Sequence, residues 1–516
     1  MRLLNNVILF LIATIIVIFG IRGDIGNPSA KELNTPFWKE NGPLELSPER
    51  GRIALMYSLV ENKSFSFSTD VARLATPDLG YKDGKYVSLF APAVSYIAAV
   101  GYIVGKYFGA SQVGAFAVIG IFALFNGLLI RRLIKHLTEN EYAANIGALV
   151  YLFATPSFAY SVTLYQHQIS TFIILSALNL LISTPKIWKL FLIYFLCAAS
   201  IPVDYPNLFL MAPIGLYALK WIISSSTSED KVKVEIKLPY LLSFFGLVLP
   251  IIFFFWFNYH SYGSPFQFSG TVSSVAEIDV NGNPTTSRTA NLENVEEYVK
   301  PEKQNKSAVG FFATRDMVNG LYIHLFSPDR GIIHFTPVIL LGLIGIYFAG
   351  KSKGRELAVV MVAIICANII LYSMWGDPWG GWAFGSRYLI PSYAILAIFL
   401  GILLSKQKQN LLILVVFTLL LYYSINVNTI GALSTSAIPP KIQVLELEKV
   451  SGLVQKYNYE RGLDMLKSDK SKSFVYNTYF SHFISAFDYY RYVTITILIL
   501  VSSQLLFLVF SKKDEV

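Results

Sequence analysis

VSLFAPAVSYIAAVGYIVGKY, Val87 to Tyr107, is long and apolar enough to be read as a membrane-crossing helix, and whether it crosses decides the topology of the whole chain. If it crosses, the basic stretches RRLIKH (131–136), TPKIWK (184–189), EDKVKVEIK (229–237), KSKGR (351–355) and SKQKQ (405–409) all face outward, against the positive-inside rule. If it lies on the outer surface, all five move to the cytoplasm together with Arg2 and Lys512-Lys513. The segment allows this, because Ser88, Pro92, Ser95, Ala99, Tyr102 and Lys106 recur at helical spacing and form a more polar stripe. The alternative is a missed or extra span elsewhere.

The rest of the chain has the composition of a polytopic membrane protein. It has 516 residues, is 54% hydrophobic and only 15% charged, and its mean hydropathy is +0.51; a soluble globular chain is far more charged. Apolar spans are expected near 6–21, 112–130, 144–162, 169–184, 190–203, 206–222, 240–257, 334–350, 356–374, 388–405, 410–426 and 490–510. The first reads as a retained signal anchor, since Arg22-Gly-Asp24 follows it without a small-residue cleavage site. The expected fold class is therefore an all-α polytopic membrane protein with about twelve transmembrane helices, external juxtamembrane helices and both termini cytoplasmic. Residues 1–426 read as a transmembrane module with external loops 23–111 and 258–333, residues 427–489 as a further external segment, and residues 490–516 as the last span and tail. Within the second loop, Val280 to Ser307 reads as a mobile segment. Asn62-Lys-Ser64 and Asn305-Lys-Ser307 are sequons.

Cys197 and Cys366 sit in apolar runs, which offers neither a disulfide framework nor a CxxC metal site. The net charge of +9 is dispersed between hydrophobic segments, so it sets topology and does not indicate nucleic acid. No repeat period or inverted pair of halves is visible, which argues against a transporter.

This topology gathers the unusual polar residues on one face. SPERGRIALMYSLVENKSFSF (47–67) opens a surface helix with Glu49 at its start. DLGYKDGKYVSLFAP (78–92) carries an Asp83-Gly84 turn and Lys85 just before the interfacial helix. His167 lies in the turn TLYQHQIST, and Asp204 and Tyr205 in SIPVDYPNL. Asp329 and Arg330 belong to the turn in HLFSPDRGIIHF, and WGDPWGGWAFGSRY supplies Trp375, Asp377, Trp379, Trp382 and Arg387. Each has a bland reading as a solvated carboxylate, snorkelling lysine, turn or aromatic anchor. Together they suit an enzyme whose donor is a lipid-linked anion: a carboxylate deprotonates an acceptor hydroxyl while Arg and Lys hold the departing phosphate. The glycines of the tryptophan loop admit positive φ and close backbone approach, which an anchor does not need.

The order of these pieces resembles the multi-spanning GT-C glycosyltransferases, particularly protein O-mannosyltransferases and lipid A aminoarabinose transferases, in a bacterial and archaeal branch. The resemblance covers most of residues 1–400 and rests on Glu49, Arg52, Ala54 and Ser64-Phe65, on Lys85 through Pro92, on LLIRRLIKHL, and on HLFSPDRGIIHFTPVILL and WGGWAFGSRYLIP. It implies a polyprenyl-phosphate sugar donor, an external protein, lipid or glycan acceptor, and an active site on the outer face of the cell membrane. Glu49 stands where the family usually has Asp, and His167 where a second Asp is common; Lys85 matches the family lysine only approximately. His167 could bind an acceptor or a divalent metal, so the cofactor requirement stays open. Glu49 and His167 are then the catalytic candidates, with Asp83, Lys85, Asp204, Tyr205, Asp329, Arg330, Asp377, Trp379, Trp382 and Arg387 as donor-binding candidates. The rivals are a lipid-sugar flippase or transporter without chemistry and a structural protein of envelope assembly.

Overall fold

The computed structural model describes residues 2–39, 42–228, 231–285, 309–351, 354–452 and 454–510. Its architecture is helical and multi-pass. The main helices are α1 (Arg2–Gly20), α2 (Ser47–Val60), α3 (Ala93–Tyr107), α4 (Ser111–Thr138), α5 (Glu141–Phe153), α6 (His167–Leu181), α7 (Ile187–Ala199) and α8 (Asn207–Leu219). They continue with α9 (Val248–Tyr262), α10 (Met317–Leu325), α11 (Leu341–Gly350), α12 (Arg355–Ser373), α13 (Ile390–Lys406), α14 (Leu411–Leu433), α15 (Lys441–Ser451), α16 (Glu460–Lys467) and α17 (Ala486–Phe510). Among the described residues, six stretches are long and apolar enough to cross a membrane: Ser111–Thr138, Leu238–Tyr262, Arg355–Ser373, Arg387–Lys406, Leu411–Leu433 and Ala486–Phe510. Shorter apolar helices accompany them.

The centre of the bundle is α13, buried continuously from Ile390 to Leu404. It can be apolar all round because other helices, not lipid, cover it. Helix α11 approaches it closely: a Cβ at Gly342 or Gly345 would lie 2.4 or 1.9 Å from the carbonyl oxygens of Leu396 and Phe399. Small residues at that spacing let two apolar helices pack backbone to backbone, where van der Waals contact replaces the hydrophobic drive that lipid does not supply.

Two expectations change. The apolar run 144–162 is not one helix, because α5 ends at Phe153 and the chain continues irregularly but fully buried to Gln166. Pro156 explains the break: its ring disfavours helical backbone at Thr155 and removes a donor. Irregular backbone survives at such depth only when enclosed by protein, and here Ala154 O and Gln168 side-chain bonds to Thr336 and Ser157 enclose it. Residues 79–88 form a hairpin, Leu79–Lys82 with Lys85–Ser88, and not the approach to a helix. Asp83 (φ 49°) and Gly84 (φ 76°) make its turn, with the positive φ pair that a two-residue hairpin loop demands. Helix α3 itself has only 15 residues, short of the roughly 20 that span a bilayer. It leaves Val100, Ile103, Val104, Tyr107 and Phe108 exposed on one apolar side.

The loop segments collect at one end of the bundle. Strand Leu79–Lys82 also pairs with Ser273–Val275, Phe312 pairs with Trp375, and Arg22 with Ser473. The first, second and C-terminal loop segments and the tryptophan loop thus share backbone contacts. Most of the 280–307 stretch, Asn305 included, lies outside the described residues.

Candidate active site

The site is built from α2 upward. Glu49 was expected at the end of a surface helix; it is instead 0% exposed, because α2 is covered by α3 and by the irregular segment after α5. Its Oε1 accepts a hydrogen bond from Leu164 N at 3.2 Å, and its Oε2 has no partner. Burial pushes the carboxyl up to about 6, although Arg22 and the backbone donors at Leu164 and Leu46 oppose the rise.

One turn further along α2, Arg52 is also buried. Its Nη2 donates to Gln166 Oε1 at 2.5 Å and its Nη1 to Pro48 O at 3.0 Å, while Nε has no partner. Gln166 in turn donates through Nε2 to Asp204 Oδ2 at 3.1 Å, which also accepts from the Tyr372 hydroxyl at 3.3 Å. Burial raises the Asp204 carboxyl, against the pull of Gln166 and Arg52.

Tyr165 is the hub. The guanidinium of Arg52 lies 5.2 Å from its ring centroid, and that of Arg387 lies 4.5 Å away. The His167 ring is parallel to it at 5.8 Å, and Tyr160 meets it edge-on at 5.3 Å. Arg387 donates to Gly380 O at 2.6 Å through Nη2, but its Nε and Nη1 have no partner. Gly380 and Gly381 both have positive φ (72° and 64°), and this turns the Gly380 carbonyl toward Arg387. Tyr388 stacks on Tyr372 at 4.3 Å, and the Arg387 guanidinium lies 5.5 Å from the Tyr388 ring centroid.

Unpartnered buried polar atoms therefore cluster around one ring: Glu49 Oε2, Arg52 Nε, Arg387 Nε and Nη1, His167 Nε2 and the Tyr165 hydroxyl. Each such atom costs about 1–3 kcal/mol, and such atoms are rare unless something else satisfies them. Two guanidiniums on one ring, near enough to act on each other electrostatically, are a match for a phosphate, whose oxygens can accept from both. Glu49 lies close enough to act electrostatically on Tyr165 alongside both arginines.

The structure thus brings together Glu49, His167, Asp204 and Arg387; the other candidates stand apart or, like Arg330 and Asp377 beside Arg387, have their polar atoms engaged in the loop. Asp83 and Lys85 stand exposed at the hairpin turn, because a strand and not a helix follows them. Tyr205 neighbours Asp204 but its hydroxyl bonds Ser269 at 2.7 Å and its ring packs on Phe268. Arg330 spends its donors on the carbonyls of Trp379, Gly381, Asp329 and Ile438. Asp329 accepts from Ser327 and from Lys441 N, where it caps α15. Asp377 accepts from Gly381 N at 2.6 Å and shapes the loop; Trp379 offers its carbonyl to Arg330. Trp382 donates to Gln443 and lies under Arg461. Among the described residues no three His, Cys, Asp or Glu side chains gather as a metal site.

The chain is similar in structure, over most of its length, to ArnT from Cupriavidus metallidurans. In the apo state of that protein the TM-score is 0.43 at 12% identity, over 95% of this chain and 76% of the other; in the state bound to undecaprenyl phosphate it is 0.39 at 10%, over 98% and 76%. The oligosaccharyltransferase AglB from Archaeoglobus fulgidus, in complex with an inhibitory peptide and a dolichol-phosphate, gives 0.38 at 13% over 97% of this chain, which spans 55% of that enzyme. No family profile and no curated protein matches the chain. Likeness at this level carries no residue role across, and the chemistry rests on the side chains themselves.

Residues that sequence reasoning left out of the site are Tyr165, Gln166, Tyr160, Tyr372 and Tyr388, and Arg52 was noted only as part of a motif. The available signal was the polar-aromatic run Tyr165-Gln-His-Gln168 interrupting an apolar stretch.

Proposed function

We propose that the protein is a glycosyltransferase that moves a sugar from a polyprenyl-phosphate-linked donor to an acceptor hydroxyl at the outer face of the cell membrane. The observation that carries this reading is the pair of guanidiniums, Arg52 and Arg387, on the one ring of Tyr165, with unspent N–H groups and a carboxylate whose Oε2 is free. A pair of fixed cations in a water-poor site stabilises a phosphate that gains charge as it leaves. The site's place among apolar helices suits a donor whose phosphate is attached to lipid, and the order of motifs supports the same donor class.

In the proposed reaction Glu49 Oε2 takes the proton of the acceptor hydroxyl. That oxygen forms a bond to the anomeric carbon as the bond from the anomeric carbon to the phosphate oxygen breaks. The phosphate departs with the electron pair into the Arg387 and Arg52 environment. A carboxyl raised to about 6 is a stronger base than an ordinary one yet still ionised at neutral pH. His167 and Asp204 line the approach of the acceptor, Asp204 also holding Gln166 and hence Arg52 in place. The acceptor is a protein, lipid or glycan hydroxyl arriving from outside.

The test is purified protein in liposomes, given a radiolabelled polyprenyl-phosphate sugar and candidate acceptors. Labelled acceptor is the expected product. Labelled lipid that crosses the bilayer without any transfer would overturn the reading in favour of a flippase.

A further inference from the structure

At the end of the bundle away from Tyr165, a cleft of about 480 Å³ opens between the C-terminal ends of α4 and α6, lined by Arg132, Lys135, His136, Glu139, Ile182 and Ser183. Helix α6 connects the two regions, beginning at His167 and ending one residue before Ile182, about 22 Å at 1.5 Å per residue. The cleft carries an excess of positive charge. Glu141 is shared by Arg131 and Lys135, and Glu139 adds one more carboxylate. Against these stand Arg132 and Lys135 in the lining itself, with Arg131 on Glu141 and Lys189 on Ser183 beside it. Lys189 is 8% exposed and its Nζ donates only to neutral oxygens of the cleft wall, Ser183 Oγ at 2.6 Å and Thr184 O at 3.0 Å. Arg132 is exposed and has no hydrogen-bond or ion-pair partner among the described residues.

Apolar surface leads to this charge. Ile121, Phe125 and Leu128 of α4 are 49%, 45% and 40% exposed, and with Arg132 they fall on one helical face at spacings of four, three and four. On the other flank α7 exposes Ile187, Trp188 and Phe191, with the Lys189 ammonium 5.6 Å from the Trp188 ring. An aromatic beside a lysine is the usual marker of the headgroup level. A basic pocket where apolar helix faces end matches a molecule with acyl chains and a phosphate at one end.

We infer that this cleft binds the phosphate headgroup of an anionic glycerophospholipid of the leaflet opposite the Tyr165 site, with the acyl chains lying along Ile121, Phe125 and Leu128. A headgroup phosphate accepts from Arg132 and Lys135 of the lining and is drawn by the buried Lys189 charge behind Ser183. The inference is independent of the transferase reading.

The experiment is native mass spectrometry of the full-length protein titrated with phosphatidylglycerol, phosphatidylcholine or a polyprenyl phosphate. Wild type is expected to retain phosphatidylglycerol at least about fivefold better than phosphatidylcholine, the preference that one cation near a membrane surface confers. Arg132→Ala combined with Lys135→Ala abolishes the preference, whereas Lys220→Ala, at an exposed cation outside the cleft, leaves it intact. Both cleft residues are exposed, so the double variant folds, and an unchanged melting temperature confirms this. Undiminished retention by the double variant, or no preference in wild type, would overturn the assignment. Variant-sensitive binding of the polyprenyl phosphate in place of phosphatidylglycerol would overturn the lipid class.

Discussion

The guanidinium carbon of Arg387 stands 4.5 Å from the centroid of the Tyr165 ring, and the same ring holds Arg52 at 5.2 Å. Two cations sharing one aromatic ring repel each other, and the ring quadrupole recovers only about 0.5–2 kcal/mol per contact. What keeps them together is the framework: Gln166 and Pro48 for Arg52, Gly380 for Arg387. A framework that holds two like charges on one ring is prepared for an anion.

Arg387→Lys tests whether the fork or merely the charge is used. Lysine keeps the positive charge but has neither the planar face that lies on Tyr165 nor donors arranged to meet a phosphate twice. Affinity for a short-chain polyprenyl phosphate, measured by calorimetry in detergent, is expected to fall at least about tenfold, the loss of one good charge-assisted hydrogen bond. Membrane insertion and melting temperature should change little. Wild-type affinity in this variant would return the tryptophan loop to the role of anchor.

Glu49→Gln separates chemistry from folding through pH. A base with its carboxyl near 6 gives a rate that rises as pH increases through about 6 and then levels; the variant should lose about 10²–10⁴-fold with no such limb. Stability runs the other way. The folded carboxyl titrates above its ordinary 4.5, so its ionisation costs stability as pH rises from 4.5 through 6, by about 2 kcal/mol in full. The variant avoids that cost. It should melt higher than wild type at pH 7.5 and equally at pH 4.5, and a glutamine variant that melts lower at pH 7.5 would recast Glu49 as a structural residue.

The comparison of sequence with structure turns on what each residue's neighbours reveal. Apolar length located the helices well, with α13 and α17 close to their expected bounds and α14 starting as expected but running on to Leu433, past the expected end at 426, because lipid or protein burial imposes the same composition either way. It overran at 144–162, where the apolar run continues past the point at which Pro156 ends the helix. His167, Asp204 and Arg387 stood out as ionisable groups at the ends of apolar runs, and Glu49 as an acid at the start of a surface helix. The burial of Glu49 did not, since α2 is polar enough to look exposed and is covered by segments far away in the chain. Tyr165 was marked only by the polar-aromatic run it opens; its importance lies in what stacks on it. Asp329 and Arg330 show the converse error, because a turn that caps a helix and a turn that binds a ligand use the same residue types.

That error has its own test. Arg330 is 0% exposed and satisfies carbonyls from three separate segments, Asp329, Trp379 with Gly381, and Ile438. Arg330→Ala leaves these buried acceptors unpaired and is expected to cost on the order of 3 kcal/mol or more, seen as a large drop in melting temperature. Donor affinity of the folded fraction should stay within about threefold of wild type, less than one hydrogen bond. Selective loss of donor binding at unchanged stability would restore Arg330 to the site.

One turn before Glu49, Glu45 ties three distant parts of the chain together. Arg22, at the end of α1, donates to Glu45 Oε2 at 2.9 Å, Ser436 N donates to the same oxygen at 3.0 Å, and Lys472 lies 3.4 Å from Oε1. Burial alone would raise this carboxyl, but Lys472 and Arg22 outweigh it and hold it at about 2. With the folded value depressed, the stabilisation is present above 4.5 and is lost as pH falls from 4.5 toward 2, about 3 kcal/mol in full. Glu45→Gln should therefore lower the melting temperature at pH 7, and the gap from wild type should close as pH drops through that window. The damage exceeds the pair's own worth, because Arg22 is 0% exposed and keeps only Ser434 O and Ser436 Oγ; an uncompensated buried charge costs about 3–5 kcal/mol. Since the same carboxylate fastens residues 434–436 and 472 against α2, limited proteolysis should begin in the 434–476 region in this variant. Cleavage there at the wild-type rate would show that the C-terminal segment is held by its apolar contacts and not by the ion cluster.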